Sequence, residues 1–419
     1  MDIKKVLLLG GSGFVGTYIA NRLSQRGIEV TVPTRRRERS KALIMQPGVE
    51  MPEVDIHCEE TLTELMRGHD VVINLVGILH SRDVQLPYSA DFARAHVELP
   101  KKIVAACTAA GVRRLVHMSA LKADPKGPSE YLASKGDGEA IVLAARDQLD
   151  VTVFRPSAIF GLGDSFLSMF ASVLKKSPIF PLGFGHARFQ PVWAADVADA
   201  LVNSLADAST FGQAYDLVGP KTYTLRELVD YTAELTDSKA RIIGLSEGWA
   251  YLQAGLMWLA PNPLMSPDNL RSMQVDSVCQ GDCQLPAGWQ PTALEAIARL
   301  NHAGWHVVVV TNQSGLGRGL FDMATLNAMH DKMNKQLAEV GGKVDAVFFC
   351  PHAPEDACQC RKPSPGLFEQ IKARYGRSLA GVANVGDSLR DLQAGAAMGC
   401  ESHLVLTGKG EAFRHRPLS

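Results

Sequence analysis

Lys4-Lys5-Val6-Leu7-Leu8-Leu9-Gly10-Gly11-Ser12-Gly13-Phe14-Val15-Gly16 is the stretch from which the architecture can be read. Four apolar residues in a row, Val6 to Leu9, are too few for a helix and suit a strand buried in a parallel sheet. The run stops at glycines 10, 13 and 16 and passes into Thr17-Tyr18-Ile19-Ala20-Asn21-Arg22-Leu23, whose apolar spacing is helical. A strand, a glycine-rich turn and a helix N-terminus make an anion site. Backbone N–H groups point outward there, the helix dipole favours negative charge, and missing Cβ atoms admit a pyrophosphate. Gly10, Gly13, Phe14, Val15 and Gly16 are therefore assigned to dinucleotide binding.

Further strands follow at the spacing of a doubly wound α/β sheet. Gly27 to Pro33 reads as the second strand and ends in Thr34-Arg35-Arg36-Arg37. An acidic residue there would hold an adenosine ribose, whereas Arg35 and Arg36 suit a 2′-phosphate, so NADP(H) is expected ahead of NAD(H). Asp70 to Gly77 reads as a buried strand with Asn74 and Gly77 towards its carboxyl end, where ligands of such sheets sit. Phe92 to Ala110 is helical, Arg114 to Ser119 a strand, and Val151 to Ile159 another. Ala194 to Leu201 reads as a helix, and Tyr223 to Leu228 contains a capping box with Thr224 as N-cap. The catalytic candidates are Ser119, Tyr131 and Lys135. Tyrosine and lysine four apart share a helix face, and an ammonium beside a phenol would lower its pKa and make Tyr131 an acid–base group.

These residues resemble the extended short-chain dehydrogenase/reductase superfamily, in particular the family of the nucleotide-binding accessory subunit of respiratory complex I. The match is carried by the glycine turn, Asn74-Leu75-Val76-Gly77-Ile78-Leu79, His117-Met118-Ser119-Ala120-Leu121, Tyr131 with Lys135, Arg155-Pro156-Ser157 and Gln190-Pro191-Val192. The resemblance implies a Rossmann core with a small substrate lobe, a bound dinucleotide, and a respiratory complex or membrane-surface assembly as partner. Relatives of this kind hold the nucleotide as a structural element. His96 stands where many active extended members carry an asparagine, a departure that weighs against hydride transfer.

A chain of 419 residues accommodates two or three domains. Its 46% hydrophobic and 21% charged residues are those of an ordinary globular protein, and a net charge of −1 gives no footprint for nucleic acid. The N-terminus lacks the apolar core of a signal peptide, and a cytoplasmic location, or one peripheral to the inner membrane, is expected. The most lipophilic segment, Trp249 to Ala260, is too short to span a bilayer and reads as a buried helix. Domains are expected at 1–276 and 293–419, joined by a linker over 277–292 in which Cys279 and Cys283 read as free thiols.

From Ala293 the pattern changes. Ala293 to Ala303 reads as a helix, and Val307 to Gly315 as a strand with a polar turn. Arg361-Lys362-Pro363 and Val385-Gly386-Asp387-Ser388-Leu389-Arg390-Asp391 supply a lysine and two aspartates suited to phosphate beside a divalent cation. Cys350, His352, Cys358 and Cys360 have the spacing of a closed, structural zinc site. With Thr311-Asn312-Gln313-Ser314-Gly315, these motifs resemble D,D-heptose 1,7-bisphosphate 7-phosphatase of the haloacid-dehalogenase superfamily. The resemblance implies that Thr311 and Asn312 meet the phosphoryl group, Arg361 and Lys362 the substrate phosphates, and Asp387 Mg²⁺. In that family a strand ending in Asp-x-Asp supplies nucleophile and acid, and no such segment precedes Ala293. Its loss should leave unpaired edges on the strands ending at Thr311 and Asp387, and should silence the phosphatase. The resemblance to both families implies a similar helix in each near Ala293–Ala298, and a gene fusion through that stretch is expected.

Overall fold

In the computed structural model, the described residues are 3–44, 46–81, 87–161, 163–236, 238–259, 265–292, 307–339, 344–356 and 358–405. The chain divides into two compact units, Met1–Ala296 and Ile297–Ser419.

The front unit is built on β1 (Lys5–Leu9), β2 (Glu29–Thr31), β3 (Val49–Glu50), β4 (Val71–Asn74), β5 (Arg114–Met118) and β6 (Asp150–Pro156). The short lobe strands β7 (Ile159–Phe160), β8 (Ile179–Leu182), β9 (Arg188–Phe189) and β10 (Val192–Trp193) intervene before β11 (Gln213–Leu217). The large sheet runs β11-β6-β5-β4-β1-β2-β3, every pair parallel, so β1 is flanked by β4 and β2. Val6, Leu7, Leu8 and Leu9 are all fully buried, the first and third in one apolar layer and the second and fourth in the other. Alternation across a strand buried on both faces explains why the run is uniformly apolar.

The predicted elements of this unit are present with shorter strands. The Phe92 to Ala110 region is a short helix Ala90–Phe92, a π turn Ala93–Glu98 and a helix Leu99–Ala110 that stops at Gly111 in the left-handed conformation (φ 75°). Thr224 caps Leu225–Leu235 reciprocally with Glu227.

Two expectations are corrected. The helix Glu247–Trp258 is not buried. Ala250 and Ala254 face the lobe, while Trp249, Leu252, Leu256 and Leu259 are 66, 51, 64 and 75% exposed. Its richness in apolar residues located the helix, but small residues face inward and large ones outward, an inversion that composition alone does not reveal. Cys279 and Cys283 are joined in a disulfide, their Cα atoms 5.7 Å apart, within the reach of a bridge. The stretch 277–292 also lies bound along the front unit. Ser157 Oγ donates to the Ser277 carbonyl, Trp289 Nε1 to the Val218 carbonyl, and Thr292 N to Asp196.

In the rear unit β14 (Val308–Asn312) pairs in parallel with β15 (Ala346–Cys350), and β16 (Ala383–Gly386) with β17 (Glu401–Leu404). The lobe strands β12 (Tyr223–Thr224) and β13 (Arg241–Gly244) complete the count ahead of them. Among the described residues the two rear pairs share no strand, which is the break expected from the missing segment. The helix expected at Ala293–Ala303 lies outside the described residues.

Candidate functional site

The glycine turn is shaped by contacts that only glycine allows. Gly10 adopts φ 78°, and a Cβ there would stand 3.1 Å from the backbone of Leu75 and Val76. A Cβ on Gly16 would come within 2.4 Å of Gly11, so the helix Phe14–Gln25 packs directly on the turn. Gly13 is the N-cap and offers no side chain, leaving the first N–H groups of the helix, at Phe14 and Val15, to an anion. Facing them is the loop after β7: a Cβ at Gly161 would meet the Tyr18 hydroxyl, and one at Gly163 the Phe14 ring. This is a cradle for a pyrophosphate.

Arg35 and Arg36 are exposed just beyond β2, where Thr34 makes a bridge to Glu53 and accepts from Arg36 N. Asn74 is buried and fully engaged. Its amide bonds His117 Nδ1 at 3.1 Å and accepts from Val76 N at 3.1 Å, so it shapes the turn after β4. Gly77 gives room to two other groups: a Cβ there would stand 3.1 Å from Lys135 Nζ and 3.5 Å from His96 Nε2.

Ser119, Tyr131 and Lys135 are placed by β5 and the helix Glu130–Ala144. Ser129 caps that helix through Leu132 N, and Asp268 accepts from Glu130 N (2.8 Å) and Tyr131 N (3.1 Å). Asp268 lies more than a hundred residues away, and no local signal marks it. Lys135 is buried and donates to the Met118 carbonyl at 3.0 Å; burial pulls its pKa down to about 8. Tyr131 is pushed the opposite way from expectation, up to about 12 by burial. Helical spacing brings the pair to one face, but the lysine is itself desolvated and directed at a carbonyl, so the phenol receives no relief from it. Among the described residues Ser119 Oγ is buried without a hydrogen-bond partner, a polar atom suited to a ligand carbonyl.

His96 is held at both ring nitrogens. Nε2 accepts from Ile78 N (3.0 Å), which assigns the proton to Nδ1, where it bonds Ser134 Oγ at 2.9 Å. Burial and the Lys135 charge drive its pKa to about 2, so the ring is neutral and locked. Sequence reasoning missed Glu139, which with Asp216 flanks Arg155 behind the sheet's carboxyl edge; Arg155 in the quoted motif was the only sign of it.

In the rear unit Cys350, His352, Cys358 and Cys360 converge. The three sulfurs lie 3.3–3.5 Å apart and His352 Nδ1 is 3.2 Å from Cys360 Sγ. Four tetrahedral ligands on zinc, with sulfurs at ~2.3 Å, imply sulfur separations of roughly 3.7 Å, so the donor set fits that ion. Arg361 Nη1 donates to the His352 carbonyl. Asn312 and Lys362 exchange hydrogen bonds between side chain and backbone, and Lys362 Nζ reaches the Val310 carbonyl and Asp391, each at 2.6 Å. Thr311 accepts from Gln313, and Asp387 stands half-buried beyond β16. Thr311 and Asn312 thus lie at the carboxyl end of β14 and Asp387 just past that of β16, in separate half-sheets, while Lys362 reaches β14 from a turn beyond β15.

Comparison with known proteins finds separate relatives for the front and rear regions. Residues 6–217 match the model of the NAD dependent epimerase/dehydratase family. The chain belongs to that family. Residues 359–417 match the HAD-hydrolase-like model. The front region is 31% identical over 300 residues to NADH dehydrogenase [ubiquinone] 1 alpha subcomplex subunit 9 of Mus musculus, covering 69% of this chain and 77% of that one. The rear region is 63% identical over 120 residues to D-glycero-beta-D-manno-heptose-1,7-bisphosphate 7-phosphatase of Bordetella bronchiseptica, covering 29% of this chain and 67% of that one. In fold, the chain is similar to dTDP-glucose 4,6-dehydratase of Bacillus anthracis, solved in complex with NAD, with a TM-score of 0.51 and 19% identity over 58% of this chain and 85% of that one.

Proposed function

We propose that the front unit holds NADP(H) as a bound structural element, within or beside a respiratory complex, and that the rear unit does not hydrolyse phosphate esters. The observation that carries the first part is the contrast within one site. The pyrophosphate cradle is complete at Gly10, Gly13 and Gly16, whereas the acid–base group is not poised, with Tyr131 pushed up to about 12 and His96 locked neutral. The likeness to a complex I subunit supports the partner, and a location in the cytoplasm or at the inner membrane surface is part of the same proposal. Arg35 and Arg36, exposed past β2, support NADP(H) over NAD(H). In the rear unit, zinc held by Cys350, His352, Cys358 and Cys360 is structural, since all four positions are protein ligands. Asp387 would bind Mg²⁺, but Asp391 is taken by Lys362 and Ser388, and among the described residues no carboxylate pair supplies a nucleophile.

Native mass spectrometry of the purified protein tests both parts: one dinucleotide and one zinc per chain are expected, and a chain free of nucleotide that cannot be reloaded would sink the first. Phosphate release from heptose bisphosphate with Mg²⁺, abolished in Asp387→Asn, would sink the second. One observation favours a second reading. Ser119 Oγ lacks a partner, as it would if a substrate carbonyl belonged there. Nucleotide oxidation by candidate carbonyl compounds that disappears in Tyr131→Phe would establish that reading.

A further inference from the structure

The helix Glu247–Trp258 stands on the lobe with its large side chains outward. Ala250 and Ala254 are buried, and Ala250 packs so closely that a Cβ on Gly183 would come within 2.5 Å of its own. Trp249, Leu252, Leu256 and Leu259 follow at intervals of three, four and three residues, so they form one stripe on the opposite face. All four are more than half exposed. Along one flank runs the parallel pair β8 and β13, where Gln253 Nε2 donates to the Pro181 carbonyl of β8. Alternation along this pair turns Phe180, Leu182 and Ile242 inward to an apolar cluster and leaves Ile179, Pro181 and Ile243 outward. Ile179 and Ile243 are 49 and 40% exposed, so the ribbon extends the apolar stripe. Its amino end is basic. Arg241 lies opposite Ile179, with its N–H bonded to the Pro178 carbonyl, and Lys175, Lys176 and Lys239 precede the two strands; all four are exposed. Segments 175–182 and 238–246 carry these four cations and no acid, Asp237 and Glu247 bracketing the second of them in the chain.

We propose that this face binds directly to the surface of an anionic lipid bilayer. The helix lies in the plane of the interface, its stripe among the acyl chains and the basic end of the ribbon among the headgroups. Apolar side chains on an exposed helix face beside clustered lysines are the pattern of interfacial helices, in which apolar burial and attraction to anionic lipid add. A protein partner fits the charge less well, because lysine is depleted at protein–protein interfaces. Trp249, in the first turn, is of the side-chain type that bilayer–water boundaries favour. Among the described residues no helix is long and apolar enough to cross a membrane, so this one rests on the bilayer and does not span it. The inference deepens the proposed location at a membrane surface and rests on that reading for which bilayer is met; the face itself follows from exposure and charge.

The full-length protein is mixed with vesicles of phosphatidylcholine containing about 30% phosphatidylglycerol, and the bound fraction is read by co-sedimentation. Binding is expected to be about tenfold tighter than to phosphatidylcholine alone, with the difference lost at about 0.5 M salt. Brominated acyl chains should quench the fluorescence of the bound protein, and Trp249→Phe should remove most of that quenching. Leu252→Gln with Leu256→Gln should weaken binding about tenfold, and Lys175→Glu with Lys176→Glu should do so on the anionic vesicles only. These side chains are exposed, so each variant should keep the thermal transition of the parent. No binding, undiminished binding of the leucine variant, or quenching that survives Trp249→Phe overturns the proposal. Equal binding of the lysine variant, or equal affinity for neutral vesicles, overturns the part given to the cations. A dimer that the leucine substitutions dissociate, and that leaves vesicles alone, assigns the face to a second copy and overturns the bilayer. Cell fractionation tests the location separately. A chain that stays with the membranes despite the leucine substitutions overturns direct lipid contact and keeps the location, whereas a wholly soluble chain that binds vesicles sinks the location alone.

Discussion

The front unit carries one continuous seven-stranded sheet, whereas the described strands of the rear unit form two separate pairs. In the first, β1 sits between β4 and β2, its four apolar residues fully buried, and the turn that follows it packs against the end of β4. In the second, two parallel pairs leave open edges, β14 is only half-buried along its length, and Val385 is 61% exposed. The difference teaches that a site's residues can outlast the element that organised them. Thr311, Asn312 and Asp387 remain at strand ends, yet the lysine that the resemblance assigns to a substrate phosphate bonds a strand carbonyl. An unpaired buried acceptor costs about 1–3 kcal/mol, enough to draw the nearest ammonium inward.

The contrast can be broken most sharply through the metal loop. If zinc holds the rear unit together, chelation or Cys358→Ser should remove on the order of 10 kcal/mol of metal-linked folding energy. Calorimetry should then show loss of one transition and retention of the front one; loss of both would mean that the units do not fold independently. Next in size is the cradle. Gly16→Ala forces a Cβ to 2.4 Å from Gly11 and should destabilise the front unit by about 3 kcal/mol, weakening dinucleotide binding more than tenfold in titration calorimetry while leaving zinc content unchanged.

The third prediction concerns Lys135. Its pKa of about 8 in the folded protein lies below the ordinary lysine value of 10.5, so between these limits the unfolded chain binds more protons. Stability of the dinucleotide-free protein should therefore rise with pH across that window and fall as pH drops towards 8. Relative to Lys135→Met, denaturant titrations should show a gain of roughly 1.5 kcal/mol between pH 8 and 9.5. The smallest effect is expected from Arg35→Ala with Arg36→Ala. Preference for NADP(H) over NAD(H) should drop about tenfold, or ~1.4 kcal/mol, with no change in thermal stability, because both side chains are exposed. A larger loss would give these arginines a packing role.

Much of the front unit was legible because its signals are local. Val6 to Leu9, the glycines that follow and the Thr224 capping box each combine residue type with short spacing. The cluster of Cys350, His352, Cys358 and Cys360 was legible for the same reason, its four donor atoms coming from eleven consecutive residues. The failures share the opposite property. Trp249 to Ala260 had the composition of a core helix, but which face turns inward depends on Phe184, Ala187 and Leu270, with which Ala250 and Ala254 pack. Cys279 and Cys283 carried no second pair to suggest bonding, and their separation became known only with the backbone path. Asp268, which pins the first turn of the Tyr131 helix, is joined to it by folding alone.

By itself the sequence determined the dinucleotide turn, the order of the two modules and the absence of an Asp-x-Asp strand, since each is written in contiguous residues. Only the tertiary structure decided the direction in which Tyr131, Lys135 and His96 are shifted, because this depends on desolvation by residues from several elements. It also decided that the gap left in the rear sheet is bridged by Lys362, since which donor reaches an open carbonyl is a matter of distance in space and leaves no trace in spacing along the chain.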